Sequence, residues 1–476
     1  VADEHQTVNH IAIVPSPGMG HAIPLVELAK LLVRHHSLKV TFIVPTMSSP
    51  PIALQEMFRT LPPSVSHVFL PPSDMAGLSI QNAKIETLMT ITVIRSLTSM
   101  REEFKRIVAS GSRLAAIVAD LFSADCFDLA IEFDAAPYLF FPSTAMLLSL
   151  FLYIPKLDKM VDCEYRDLDN PVEIPGCMPV KGSELFDPMQ DRRDDAYKWL
   201  IHLSNKYILA SGIMVNSFVE LENGAIRALQ DPESGNPPVL AVGPLVRVES
   251  SVDGNGEGSE CLEWLDGQPH GSVLFVSFGS AGTLSSEQIT ELAMGLEMSE
   301  QRFLWVVKSP SDKVANAAYF SVHNETDPFH FLPSGFVNRT KSRGLIVESW
   351  VPQGKILSHG SIGGFLTHCG WNSTLESVVN GVPLIAWPLF AEQKMNAMIL
   401  SEGVGVALRA GGGSGTGLIG RKEIAAVARN LMVGEGGRAA RNRMSHLQSA
   451  AGDAVSEDGS LRRSLAHVVS QWEAAR

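Results

Sequence analysis

The chain has 476 residues, enough at roughly 150 residues per domain for two or three buried cores. Lys and Arg number 38 against 51 Asp and Glu, a formal charge of −13, which argues against a general nucleic-acid binder. At 45% hydrophobic and 19% charged residues the composition is globular, not disordered. Five scattered cysteines (Cys126, Cys163, Cys177, Cys261 and Cys369) with no CxxC pair speak against a disulfide framework or a zinc ribbon.

The opening Val-Ala-Asp-Glu-His has neither a basic n-region nor an apolar h-region. Residues 10–14 then read as a buried strand, Pro15 to Gly20 as a turn, and the following segment as a helix with Leu25, Leu28, Ala29 and Leu32 on one face. A further apolar run at 114–118 is a strand that leads to Asp120. The longest apolar stretch, 135–153, is interrupted by Pro137, Pro142, Ser143, Thr144 and Ser149 and followed by Pro155. A membrane span needs about 20 mostly apolar residues, so this stretch reads as a buried strand and helix. The expectation is a reduced, cytoplasmic protein without a membrane anchor, in which three matches to the glycosylation sequon, at Asn324, Asn338 and Asn372, are chance.

Residues 249–260 are polar and glycine-rich and read as a linker. Beyond them the first design repeats. Val273–Ser277 is a strand, Phe278 to Gly282 a turn, and a helix follows with Ile289, Leu292, Ala293 and Leu296 on one face and a capping box of Ser285 with Gln288. Segment 308–329 lacks periodicity and reads as an insertion; 410–417 reads as a glycine-rich surface loop. Leu461, Leu465, Val468 and Trp472 share a face of the last helix, which therefore docks on something. Two doubly wound α/β domains fit this alternation.

Chemistry concentrates in residues 350–393. Ile362–Thr367 is an apolar strand, His368 to Ser373 a turn, and 374–380 a short helix. The bare NH groups at such a helix start, at the carboxyl end of a strand, suit a diphosphate, and His368 could add a hydrogen bond or positive charge. An ordinary βα turn without ligand fits the topology equally. Glu376 either completes a capping box with Ser373 or accepts from ribose hydroxyls. Trp350 is core or a platform for a flat base. Glu392 and Gln393, an acid beside an amide, suit a polyol or plain surface. His21 follows a glycine-rich turn at the end of the first strand and titrates near neutrality, so it can take a proton from a hydroxyl; a structural role is the competing reading. Nothing in the spacing pairs it with Asp120.

Residues 350–393 resemble the signature box of the plant secondary-product UDP-glycosyltransferases at Trp350, Pro352, Gln353, Leu357, His359, Phe365, His368, Cys369, Gly370, Trp371, Asn372, Ser373, Glu376, Gly381, Val382, Pro383, Trp387, Pro388, Glu392 and Gln393. The turns at Pro17 to His21 and Phe278 to Ser280 also resemble the family's, so the likeness covers the whole chain. Phe390 to Ala397 and the Pro15 to His21 turn resemble the hydroquinone and monolignol glucosyltransferase branch.

The resemblance implies a GT-B fold: an acceptor-binding domain (1–248), the linker (249–260), a UDP-sugar-binding domain (261–458) and a last helix (459–476) returning to the first domain. It implies uracil stacking by Trp350, nucleoside contacts from Val351 and Gln353, and ribose contacts from Glu376. Ser277, Ser280, His368, Gly370, Asn372 and Ser373 fall around the phosphates; Trp371, Glu392 and Gln393 fall on the sugar. Glu392 departs from the family's commoner Asp but keeps the carboxylate, and the final Gln goes with glucose. His21 becomes the general base and Asp120 its orienting partner. Phe122, Met146, Phe151, Leu185 and Phe390 lie in regions that line the family's acceptor pocket. The expected reaction is inverting transfer of glucose from UDP-glucose to a small phenolic or phenylpropanoid hydroxyl, by a monomer without metal or other cofactor. A terpenoid or flavonoid acceptor, or a nitrogen or sulfur nucleophile, remains an alternative. A nicotinamide enzyme would need the third glycine of GxGxxG, absent after Gly18-Met-Gly20, and an epimerase would lack the 350–393 box; a non-catalytic UDP-sugar sensor, which would keep that box but could lose the His21 base, is the alternative from another class.

Overall fold

A computed structural model describes residues 9–75, 83–247, 259–312, 315–316, 328–348, 351–411 and 417–474. The chain divides into two units, residues 1–246 with 453–476, and residues 247–452.

The first unit is built on a seven-stranded parallel sheet. Its strands are β1 (Asn9–Val14), β2 (Lys39–Val44), β3 (Val65–Phe69), β4 (Arg113–Asp120), β5 (Ala136–Phe141), β6 (Gly212–Val215) and β7 (Val239–Ala241), in the order β3-β2-β1-β4-β5-β6-β7. Near-continuous Val, Ile, Leu and Ala in β1 and β4 suit strands covered on both faces by helices. Leu25, Leu28, Ala29 and Leu32, on the Met19–His35 helix, are all buried, as their spacing predicts. The apolar stretch resolves into β5 and the Ala145–Met160 helix, which runs through Pro155 instead of stopping before it. Thr144 caps this helix by accepting from Leu147 N at 3.0 Å. The last helix, Ser460–Ala474, sets Leu461, Leu465, Val468 and Trp472 into the same core as Ile11, Leu25 and Phe42.

The second unit holds a six-stranded parallel sheet of β8 (Val273–Ser277), β9 (Arg302–Val307), β10 (Gly344–Glu348), β11 (Ile362–Thr367), β12 (Leu384–Ala386) and β13 (Ala407–Arg409), ordered β10-β9-β8-β11-β12-β13. Ile289, Leu292, Ala293 and Leu296 pack beneath it from the Ser286–Ser299 helix. Ser285 caps that helix through Gln288 N, but the Gln288 side chain does not close the predicted box: it exchanges two hydrogen bonds with the backbone of Ile419. Residues 249–258 of the expected linker, most of 308–329 and residues 412–416 lie outside the described residues.

In each sheet the strand order reverses once, between β1 and β4 and between β8 and β11. Connections leave such a pair in opposite directions, which opens a crevice at the carboxyl ends of the strands where α/β proteins bind ligands.

Candidate active site

At the first reversal, β1 and β4 run side by side to Val14 opposite Ala119, so the next residues of both strands meet. Asp120 ends β4 and is fully buried. His21 lies in the first turn of the Met19–His35 helix, which starts at Gly18. Its Nδ1 is 2.7 Å from Asp120 Oδ2, and its side chain keeps 15% exposure. Ser16 locks the pair: its NH donates to Asp120 Oδ2 at 3.1 Å, and its hydroxyl accepts from Phe122 N at 3.1 Å. The Phe122 ring stands edge-on to the imidazole at 5.7 Å. A carboxylate at Nδ1 favours the tautomer with its proton on that nitrogen, which leaves the Nε2 lone pair able to accept a proton. Sequence spacing gave no sign of Ser16.

Beside this pair, Glu86, Thr90, Phe122, Phe186, Trp199 and Leu203 line a narrow apolar cleft. Of the expected acceptor-pocket residues, only Phe122 lines it; Phe151 and Leu185 are fully buried, and Met146 nearly so. Phe151 stacks on Tyr207 at 5.7 Å and meets Phe141 and Phe186, an aromatic core behind the cleft. Phe390 lies in the second unit. One determinant escaped the sequence reading: the buried Glu222 accepts from Ala145 N at 2.8 Å, Met146 N at 2.9 Å and Ser217 Oγ at 2.6 Å. It seats the start of the helix that carries Met146 and Phe151, and burial pushes its carboxyl pKa up.

At the second reversal the turn after β8 meets the turn after β11. Gly279 has a φ of +69°, open to glycine at little cost, and a Cβ there would fall 2.5 Å from His368 Cε1. A Cβ on Gly370 would fall 2.4 Å from His368 Nε2, so the imidazole is flanked by two glycines. Cys369, between His368 and Gly370, is left-handed (φ 65°), a strained non-glycine geometry, and its carbonyl is held by Asn396 Nδ2 at 2.9 Å. The helix that follows is Trp371–Val379, capped at Gly370. It begins earlier than predicted, which puts Ser373 inside the first turn and rules out the Ser373–Glu376 capping box. Both side chains turn to Gln353 instead: its Nε2 donates to Ser373 Oγ at 2.9 Å and to Glu376 Oε2 at 2.7 Å.

Burial and the nearby Lys308 lower the His368 pKa to about 3, so it is a neutral hydrogen-bonding group and not the positive charge the sequence allowed. Ser277 is buried, its Oγ accepting from Gly279 N at 3.4 Å; Ser280 is exposed. Trp371 is buried and Asn372 partly so; Val351 is buried just ahead of Gln353. Glu392 starts the Gln393–Met398 helix after Ala391 at a φ of 56°. Gln393 is buried and its Oε1 accepts from Leu389 N and Phe390 N, closing its own turn, so any sugar contact falls to its Nε2. Trp350 lies outside the described residues.

Residues 255–420 match the family described as UDP-glucoronosyl and UDP-glucosyl transferase. Hydroquinone glucosyltransferase of Rauvolfia serpentina is 56% identical over 464 residues, covering 98% of both chains. The chain belongs to the family 1 UDP-glycosyltransferases of plants. UDP-glycosyltransferase 72B1 of Arabidopsis thaliana is 53% identical over 99% of this chain and 98% of its own length. The structure of Phytolacca americana UGT2 complexed with UDP-2fluoro-glucose and pterostilbene superposes with a TM-score of 0.89 at 48% identity, covering 98% of this chain and 100% of that one. The fold of this glycosyltransferase is therefore GT-B. Among the described residues no helix is long and apolar enough to cross a membrane.

Proposed function

We propose that this glycosyltransferase moves glucose from UDP-glucose to the hydroxyl of a small phenol, with inversion at the anomeric carbon. The first unit takes the acceptor and the second the donor. His21 Nε2 removes the hydroxyl proton as the oxygen forms its bond to C1 of the sugar. The C1–oxygen bond to the diphosphate breaks and its electron pair leaves on UDP. Asp120 stabilises the imidazolium that forms, and attack opposite the leaving group turns an α-linked donor into a β-glucoside. The Trp371–Val379 helix start and the neutral His368 donate to the departing phosphate. Glu376 takes the ribose hydroxyls and Trp350 stacks on uracil. This scheme assigns no step to a metal.

The observation that carries the reading is the 2.7 Å approach of His21 Nδ1 to a fully buried Asp120. The names of the relatives support the donor and acceptor class: one is a hydroquinone glucosyltransferase, and the Phytolacca americana enzyme holds UDP-2fluoro-glucose and pterostilbene. The test is UDP release from UDP-glucose with hydroquinone for wild type and His21→Ala. The variant is expected to lose at least about a hundredfold in turnover, the usual share of a general base, and to keep its affinity for UDP. Undiminished turnover removes His21 from its role.

A further inference from the structure

Lys308 is the first residue after β9, at the carboxyl end of the strand next to β8. Its ammonium reaches across to the turn after β8, donating to Gly279 O and, at 2.6 Å, to Ser280 O. An ammonium has three donors, and these two carbonyls account for two. No carboxylate among the described residues pairs with it; Asp312 is spent on Ser286 N and Oγ. Lys308 and Ser277 line one small cavity of about 20 Å³, room for a single water. Its charge is felt by His368 on the far side of the same turn. A partly buried cation without a counter-ion is costly unless an anion completes it. Desolvation already lowers its pKa to about 8.

We propose that Lys308 is the cationic contact of the donor diphosphate, supplying at the second strand reversal the positive charge that the neutral His368 does not. The inference rests on the reading of the second unit as the UDP-sugar site. Turn glycines, helix-start NH groups and His368 offer only neutral dipoles, whereas the diphosphate carries formal charge. An ammonium held by two carbonyls is already in place, so little side-chain entropy is lost when the anion arrives. The same contact serves the leaving group, whose negative charge grows as the glycosidic bond breaks.

The competing account is a tether: Lys308 only pins the 279–280 carbonyls. Two variants separate them by calorimetric titration with UDP and with uridine, which lacks phosphate. Lys308→Gln keeps an NH donor and removes the charge; Lys308→Arg keeps the charge. The expected result is UDP affinity about ten- to a hundredfold weaker in Lys308→Gln, the loss typical of a hydrogen bond to a charged group. Lys308→Arg should stay within a few-fold of wild type, and uridine affinity should be unchanged in both. Equal UDP affinity in wild type and Lys308→Gln overturns the proposal. So does a parallel loss of uridine and UDP in both variants, which marks a tether. Wild-type protein that fails to bind UDP at all refutes the donor-site reading itself, a result distinct from either.

Discussion

Asp120→Asn tests the proposed chemistry with the least change of shape. The carboxylate is fully buried, 2.7 Å from His21 Nδ1, and its Oδ2 also accepts Ser16 N at 3.1 Å. The amide is isosteric, so packing against β1 is retained. What disappears is the anion opposite the imidazole. A hydrogen bond to a charged group contributes about 1.5–3 kcal/mol, and at about 1.4 kcal/mol per decade this is roughly a 10- to 150-fold loss of rate. Ser16 N donates to the same oxygen that meets Nδ1, so the amide oxygen takes that place, the Nδ1–H tautomer is kept, and the fall in kcat reports the lost charge. Steady-state UDP release gives kcat, and titration gives the UDP affinity, which should not move because its proposed contacts lie in the other unit. A thermal melt checks the fold; relief of a buried charge keeps it near wild type. Turnover within threefold of wild type, in a variant that melts normally, would refute the role of Asp120 and with it the meaning given to the short contact.

Other expectations concern separate parts of the molecule. Glu376→Ala should weaken UDP by about tenfold, within the usual range for charged hydrogen bonds, but leave 2′,3′-dideoxy-UDP almost unaffected; equal losses for both nucleotides would trace the effect to the Gln353 network and not to ribose. Trp472→Ala should lower the unfolding free energy by about 3–5 kcal/mol, because the fully buried indole packs edge-on to Tyr138 at 5.4 Å and its nitrogen has no hydrogen-bond partner among the described residues, so the loss is packing alone. A urea midpoint shift worth under about 1 kcal/mol would mean that the helix is not part of the first core. UDP-glucose affinity should be flat from weakly acidic to neutral pH, since His368 titrates only near 3, and should weaken as pH rises past about 8, where Lys308 gives up its proton. Lys308→Arg should abolish that alkaline fall; a fall that survives the substitution assigns it to another group.

The strands bounded from the sequence, β1, β4, β8 and β11, were legible because each is mainly a run of apolar residues: β8 and β11 fall on the predicted residues, and β4 extends the predicted 114–118 at both ends. Helix faces were legible for the same reason. Helix starts were not. Ser373-x-x-Glu376 has the letters of a capping box, yet Gly370 is the cap, because the strained Cys369 turn brings the chain into helical geometry at once. Ser285-x-x-Gln288 shows the complementary error: the serine caps, but the glutamine finds the Ile419 backbone, a partner no local pattern announces. Site residues divide in the same way. His21, Asp120, His368 and Glu376 are named as candidates through resemblance, whereas Ser16, bonded to Asp120, and Lys308, whose charge reaches His368, are not. Lys308 was hidden because 308–329 reads as an insertion, although its position, first after an apolar strand, has the same form as that of Asp120 at the end of β4. The pairing of His21 with Asp120 depends on β4 passing over β2 and β3 to lie beside β1, a fact of topology.

That topology also explains how the two units, alike in plan, can carry the opposite chemistry proposed for them. Each sheet reverses its order at one pair of strands, and each reversal brings two chain segments to one crevice. At β1 and β4 the crevice receives a buried carboxylate behind an imidazole, an arrangement that attracts a proton. At β8 and β11 it receives a glycine turn, a helix start, a neutral histidine and a lysine, an arrangement that attracts an anion. Group transfer from a nucleotide needs one of each: a proton leaves the nucleophile while negative charge arrives on the leaving group. The strand order sets where such groups can stand, and the few residues just past the strand ends set their sign. A change such as Asp120→Asn or Lys308→Gln should therefore alter the charge of a crevice and leave its sheet standing.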